Sequence, residues 1–418
     1  MSIRLPAILF GLGTIICFYL LSKILLQEFF DQKLANLGAY LAGFLMAISP
    51  WHLQFTHTGF EASSALFFVT LGSYLFLKGK KSKSLKLLII SFLSLGLSLY
   101  SYNSARIVVP VLTVGLMLGY FKSFKIAQWV TAILVFTIIS VPFILFSVSP
   151  EGMARAREVV IFYYPQTQPL TKTLVTNYWQ NVSPYYLFYY GDPTLSHTTD
   201  HRMSLLYFME WPFFYLELIL LILKIRKSAF VLIWFLIGSV PAAITILNPH
   251  ALRSFLILPV LLFMSIFGFI NFISFLGSDN LRKFFVSFYV VCLLCFCLNF
   301  LNIYHNFYII DSGWDWLTDV KRVSKEVGFM KNNYEQIYFE EGGNRVIAYL
   351  WHLKYPPQDY QGLVNKKQIG NLNFDYSFSE INETGKNLYI TRKPDLPAQL
   401  VRTIYYPNKL SAFYLYRI

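Results

Sequence analysis

The feature that most constrains this chain is a succession of long apolar runs. A helix needs about 17 to 25 apolar residues to cross the ~30 Å hydrocarbon core of a bilayer. Runs of that order recur at 4–26, 34–51, 61–78, 85–101, 105–121, 127–147, 204–223, 229–247, 252–276 and 284–304. Only 14% of the 418 residues are charged and mean hydropathy is +0.49, far from the mix of a soluble domain. The expected fold is mainly α, a polytopic transmembrane helix bundle of about ten spans over residues 1–304.

Basic residues between the runs are spread unevenly. They cluster in "KGKKSKSLK" (78–86), "KSFK" (122–125), "KIRK" (224–227) and "RK" (282–283), and such loops face the cytoplasm. Strict alternation then puts 49–60, 101–106, the long loop 148–203 and 247–253 on the outer side, together with everything after 304. By the same parity the first span runs inward with only a few residues before it, so a further span and outer loop upstream of Met1 are expected. "RLPAILFGLGTIICFYLLSKILL" is too long for a signal peptide and no small-residue cleavage site follows, so it remains a span. Orientation and contact with anionic lipid account for the formal charge of +13, and nucleic acid is not an expected partner. No G-x-x-x-x-G-K-[ST] occurs, nor a G-x-G-x-x-G opening a helix after a strand, which leaves ATP-driven transport without support. Cys17, Cys292, Cys295 and Cys297 all lie in apolar runs, where buried packing is expected rather than a metal site or a disulfide.

Ionisable groups near membrane depth are costly and invite a functional reading. On the outer side they converge. Glu61, in "SPWHLQFTHTGFEAS" (49–63), stands where the third span begins. "YSYNSARIVVP" sets Tyr102 and Arg106 at the head of the fifth, and "NPHALRSFLILP" sets His250 and Arg253 at the head of the ninth. "YYGDPTLSHTTDHR" in the long loop adds Asp192, His197, Asp200, His201 and Arg202. One carboxylate and two arginines at separate span ends suit a phosphate-bearing ligand beside a group that activates an acceptor. Plainer readings stand beside this one. Arg106 and Arg253 serve equally as anchors snorkelling to headgroups, Glu61 as a complement to its helix dipole, and His197 and His201 as solvated loop histidines. Because "GDPTLSHTT" reads as turn chemistry, no metal is expected on the His197/His201 pair. The sequence requires no cofactor and leaves a divalent metal undecided.

The long loop carries two further signals. "EGMARAREVVIFYYPQ" (151–166) is short, amphipathic and Arg-bearing, as an interfacial helix would be. "NYWQNVSPYYLFYYGD" (177–192) is dense in aromatics, which suits either a membrane-interface belt or the apolar faces of sugar rings.

Taken in order, "RLPAILFG…LAGFLMAISPWHLQFTHTGFEAS", "GLSLYSYNSARIVVP", "NYWQNVSPYYLFYYGDPTLSHTT…YFMEWPF" and "NPHALRSFLILP" resemble bacterial membrane glycosyltransferases of the GT-C fold. The likeness is to the family 39-type relatives of protein mannosyltransferases and of the lipid A aminoarabinose transferase, over most of residues 4–275. It implies a polyprenyl-phosphate-linked sugar donor, its tail in a groove between spans, and a glycan, lipid or protein acceptor at the outer face. It further implies that Glu61 is a catalytic acidic residue and that Asp192 and His197 close the site from the long loop. Arg106, Arg253 and His250 fall on the phosphate side, with Tyr102 beside them. The family's other catalytic acidic residue, regarded as the base, belongs to an outer loop after a span for which this chain has no counterpart. His57 is a second departure, standing where relatives often carry an arginine, so that a phosphate contact there is weakened or replaced.

Residues 305–418 change character, with evenly spread charges and no spanning run. "GWDWLTDVKRVSKEVGFMKNN" and "NRVIAYLWHLKY" read as helices, and "YEQIYFEE", "KNLYITRK" and "RTIYYPNK" as strands. A small extracytoplasmic α/β domain is expected. The rival to a glycosyltransferase is a membrane carrier or flippase for a lipid-linked substrate; a truncated inactive homologue is a third reading. A carrier should show internal repeats and broken spans in matching halves, and no such repeat is visible.

Overall fold

The computed structural model describes residues 4–418 apart from 166, 199–201, 224, 344, 361–366 and 382–383. The chain divides into two compact units, Met1–Ile303 and Tyr304–Ile418.

The first unit is a polytopic helix bundle. Its helices are α1 (Leu5–Leu26), α2 (Gln32–Ile48), α3 (Pro50–Thr58), α4 (Ala62–Ser82), α5 (Leu85–Ser101), α6 (Ala105–Tyr120) and α7 (Ile126–Ser147), then α8 (Pro150–Val159), α9 (Leu170–Val182), α10 (Trp211–Leu223), α11 (Ile225–Gly238), α12 (Val240–Ala243), α13 (Ala251–Ser254), α14 (Leu258–Ser274) and α15 (Asp279–Ile303). Among the described residues six helical segments are long and apolar enough to cross a membrane, and α2 with α3, bent by 51° at Ser49, makes a seventh. α5 coincides with its expected run, and two expected spans are shorter as helices. α10 has 13 residues, because residues 204–210 are irregular with a 3₁₀ turn at Phe208–Glu210, and α11 has 14.

Burial sorts these helices by depth. Of the apolar stretch in α13–α14, 94% is buried, against 17% for that of α7. A helix apolar all round belongs in the middle of the bundle. α14 is that centre, and Leu134, Ile138 and Leu145 of α7 are left exposed, as a lipid-facing surface requires. At Gly268 of α14 an added Cβ would lie 2.3 Å from the Phe213 carbonyl oxygen, so α10 approaches closely where a side chain is missing.

The ends of the bundle differ in chemistry. At one end Lys80 pairs with Glu28 at 3.1 Å and lies 4.3 Å over the Tyr120 ring, and Gln128 donates to the Lys83 carbonyl, so the lysine-rich connections share a surface. At the other end hydrogen bonds join the four segments assigned to the outer side. Gln54 donates to the Ser196 carbonyl and Ser104 to that of Arg253, while Asn248 donates to the Asn177 carbonyl. Val159–Ile161 also pairs with Ile244–Ile246 as a short antiparallel bridge. The stretch 49–60, expected as a plain connection, is mostly helix: Pro50 starts α3, and Gly59, at φ +93°, ends it in the left-handed conformation glycine tolerates.

The second unit is a six-stranded mixed sheet with helices packed on it. Its helices are α16 (Ile309–Asp311), α17 (Thr318–Met330), α18 (Arg345–His352) and α19 (Pro357–Tyr360). Its strands are β1 (Gln336–Phe339), β2 (Gln368–Ile369), β3 (Leu372–Phe374), β4 (Asn387–Thr391), β5 (Gln399–Tyr405) and β6 (Ser411–Arg417), in the order β2-β3-β1-β4-β6-β5. β1 runs parallel to β3 and β4, and the remaining pairings are antiparallel. Val320, Val323 and Val327 of α17 pack with Ile337, Phe339, Leu388 and Ile390 of the sheet. Asp319, fully buried, accepts from Arg392 at 2.7 Å, Arg345 at 3.0 Å and Tyr406 at 2.9 Å, and both guanidiniums lie over the Trp314 ring. Burial alone would raise the Asp319 pKa, but the two arginines hold it below the usual value.

Candidate active site

The long loop is anchored to the bundle by Asp192. Gly191, at φ +80°, turns the chain into it. The Asp192 carboxylate, 1% exposed, accepts the Thr194 N–H at 2.8 Å through Oδ1 and the Ala251 N–H at 2.5 Å through Oδ2. One carboxylate thereby closes its own turn and caps the first residue of α13. Asn181, also buried, accepts the His250 N–H at 3.1 Å and donates to Asn248, which reaches Gln180 at 2.6 Å. The backbone around "NPHALRS" is thus held from two directions.

This anchoring brings two histidines together. The rings of His197 and His250 have centroids 4.5 Å apart, and His197 Nδ1 is 3.6 Å from Asp192 Oδ1, an ion-pair distance rather than a hydrogen bond. Phe55 and Phe60 stand 6.2 and 6.0 Å from His197, so α3 and the turn after it supply an aromatic wall. Burial, followed by the nearby His197 and Arg253, pushes His250 down to about 3, so its imidazole is neutral at ordinary pH. Burial works to raise the Asp192 pKa; the two histidines and the Ala251 N–H more than reverse this and hold the carboxylate ionised.

One donor atom from each of Asp192, His197 and His250 lies within 4.8 Å of the other two, and the Nδ1 atoms of both histidines lack a hydrogen-bond partner. Two imidazoles and a carboxylate can hold a divalent cation. The expectation of no metal rested on His197 with His201 at helical spacing. His201 and Asp200 lie outside the described residues, and the donor set instead joins residues more than fifty apart in sequence.

The remaining residues gather around Tyr102, which ends α5 in an extended conformation. Burial raises its pKa, the Glu61 charge raises it further, and Arg253 and Arg155 oppose them. Glu61, Arg253 and Arg155 therefore act on one phenol. Glu61 is exposed at the start of α4, and its side chain caps no backbone N–H there. Arg253 donates to the Leu247 carbonyl at 3.4 Å. Arg155, on α8, pairs with Glu158 at 2.9 Å and also acts on His250. The sequence marked α8 as an interfacial helix but did not assign Arg155 to the site.

Arg106 and His57 are the two remaining expected members. Arg106 lies 4.7 Å over the Phe143 ring, and its Nε atom has no hydrogen-bond partner. That guanidinium packs against α7, as a cation over an aromatic face. His57 is on the exposed side of α3, whereas His52 of the same helix is 2% exposed with both ring nitrogens lacking a hydrogen-bond partner. The arrangement as a whole sets a free carboxylate, a phenol and two cations beside a buried carboxylate–histidine cluster.

No model of a known protein family matches this chain, and no curated protein matches it. Among solved structures it is similar to ArnT from Cupriavidus metallidurans, which was crystallised bound to undecaprenyl phosphate. The identity is 12%, the TM-score 0.52, and the match covers 99% of this chain and 83% of that one. The two share a fold, and that fold is GT-C.

Proposed function

We propose that this chain moves a sugar from a polyprenyl-phosphate-linked donor to a glycan, lipid or protein acceptor at the outer face of a membrane. The observation that carries the reading is the convergence of Glu61, Tyr102, Arg155 and Arg253 with the Asp192–His197–His250 cluster at the end of the bundle away from the lysine-rich loops. A fold in common with a protein that holds undecaprenyl phosphate supports the donor class.

In the proposed transfer the acceptor oxygen bonds to the anomeric carbon as the bond from that carbon to the phosphate oxygen breaks. Glu61, which caps nothing, takes the acceptor hydroxyl proton. Charge develops on the departing lipid phosphate, where Arg253 and Arg155 stabilise it and neutral His250 offers one N–H. Asp192 fixes the loop that carries His197. Positive-inside orientation of the lysine loops puts this end outside, and the second unit with it.

The test follows radiolabelled sugar from a panel of polyprenyl-phosphate donors in membranes holding the chain. Expected is transfer that Glu61→Gln lowers by ~10²-fold or more, as for loss of a general base, and that Arg253→Ala also lowers, with Lys81→Ala unaffected. Transfer indifferent to both site variants, or intact lipid-linked sugar crossing the bilayer with none transferred, overturns the reading; the second result describes a carrier.

A further inference from the structure

The second unit holds a cleft of about 480 Å³ that the proposed transfer does not use. Lys321, Arg322 and Lys325 of α17 line it with His352 of α18, and Ile309 and Pro407 add an apolar wall. Lys325 follows Lys321 by four residues and Arg322 by three, so it neighbours both on the helix surface. The other face of α17 is locked into the core by Val320, Val323 and Val327, which makes the basic face a fixed one. Arg322 donates to the Tyr405 carbonyl at 2.5 Å and is held in place.

This positive charge is local. Residues 304–418 carry fourteen lysines and arginines against twelve aspartates and glutamates, close to balance. Yet among the described residues no carboxylate pairs with Lys321 or Lys325, and the adjacent Glu326 is taken by Arg402 at 2.5 Å. Burial and then the Lys321 charge lower the His352 pKa, so that ring feels a positive field without being charged at neutral pH. Like charges at this spacing weaken a helix. A volume of about 300–1,000 Å³ is that of a small-molecule pocket. Two free ammoniums and a guanidinium match a phosphate dianion better than a single carboxylate.

We propose that this cleft binds a phosphorylated saccharide, with Lys321, Lys325 and Arg322 on the phosphate and Ile309 and Pro407 against the sugar ring. Binding is read without any transfer reaction, so it stands or falls apart from the glycosyltransferase reading.

The experiment is calorimetry on the full chain in a detergent free of sugar and phosphate, with a hexose 1-phosphate, inorganic phosphate, the neutral hexose and vesicles of anionic phospholipid as probes. Expected is saturable binding of the hexose 1-phosphate, tighter than inorganic phosphate, and none of the neutral hexose. The double variant Lys321→Ala/Lys325→Ala weakens it by ~10-fold or more, while Lys321→Arg/Lys325→Arg and Lys386→Ala keep it. Since the first unit is also proposed to hold a lipid phosphate, dependence on these lysines decides the matter. Equal binding by the double alanine variant overturns the proposal, as does a hexose 1-phosphate no tighter than inorganic phosphate, or binding confined to the vesicles.

Discussion

At the scale of single residues, the outer cluster separates groups that hold the site from groups left open to act. Glu61 was readable because a carboxylate at the head of an apolar run has few reasons to be there. Asp192 was also readable, but its partners were not: the Ala251 N–H lies 59 residues away, and no local pattern reports such a bond. Asp192→Ala removes both accepted N–H bonds, each worth about 1.5–3 kcal/mol when the acceptor is charged. Amide exchange over residues 186–198 should then accelerate by ~10-fold or more, with Asp192→Asn intermediate; unchanged protection would refute the anchoring role. Because Asp192 is held below its ordinary pKa, its contribution is complete above about pH 4 and fades as pH falls through the folded value. His250 acts over a higher window. Its folded pKa, near 3, is below the ordinary value of 6.5, so between those limits the unfolded chain binds a proton that the folded chain refuses. Stability is therefore complete above about pH 6.5 and declines toward pH 3. Thermal melting of His250→Asn should change less from pH 7 to pH 4.5 than that of the parent; equal slopes would count against a buried neutral imidazole.

At the scale of elements, most helices and three of the six strands follow from periodicity and apolar length, and what was missed has local causes. α3 lies in a polar stretch flanked by Pro50 and Gly59, punctuation that reads equally well as loop, and its burial against Phe255 decides for helix. β2 and β3 are two and three residues long, too short for alternation to show. β6 reads "SAFYLYR", an apolar run whose strand character comes from pairing with β4 and β5. Helix packing is equally hard to see in advance, since a glycine inside an apolar run carries no sign of what approaches it. Gly268→Ala tests one such approach. The added methyl meets a backbone carbonyl at 2.3 Å, which a rotamer change cannot relieve, so α10 must shift from α14. A loss of about 1–3 kcal/mol is expected, seen as a lower melting temperature in detergent, while Gly119→Ala, with nothing within 4 Å, is neutral or slightly stabilising. Equal effects of the two would place the helices farther apart than described.

At the scale of the molecule, the bundle is polarised along its length. Lysines with few carboxylates hold one end, and the hydrogen-bonded segments around Asp192 and Tyr102 hold the other. Parity counted from the loop charges assigned 49–60, 101–106, 148–203 and 247–253 to one side, and the cross-segment hydrogen bonds join all four. Which side faces outward is an electrostatic question, decided by the cost of moving lysines across the bilayer. It is answered with single cysteines introduced after the four native ones are replaced by serine, labelled in intact cells with a membrane-impermeant maleimide. Asn103→Cys and Thr167→Cys, both exposed at the site end, should label at once. Lys81→Cys and Lys122→Cys, exposed at the lysine end, should label only after permeabilisation. Asp395→Cys asks the same of the second unit, proposed to lie outside, where a phosphorylated sugar would meet the cleft on α17. The reverse pattern would put the carboxylate and arginines on the cytoplasmic face, and the donor would then have to be used on the side where lipid-linked sugars meet soluble nucleotides. Labelling of the first pair but not of Asp395→Cys would detach the second unit from the outer face, and with it any part in choosing an acceptor there.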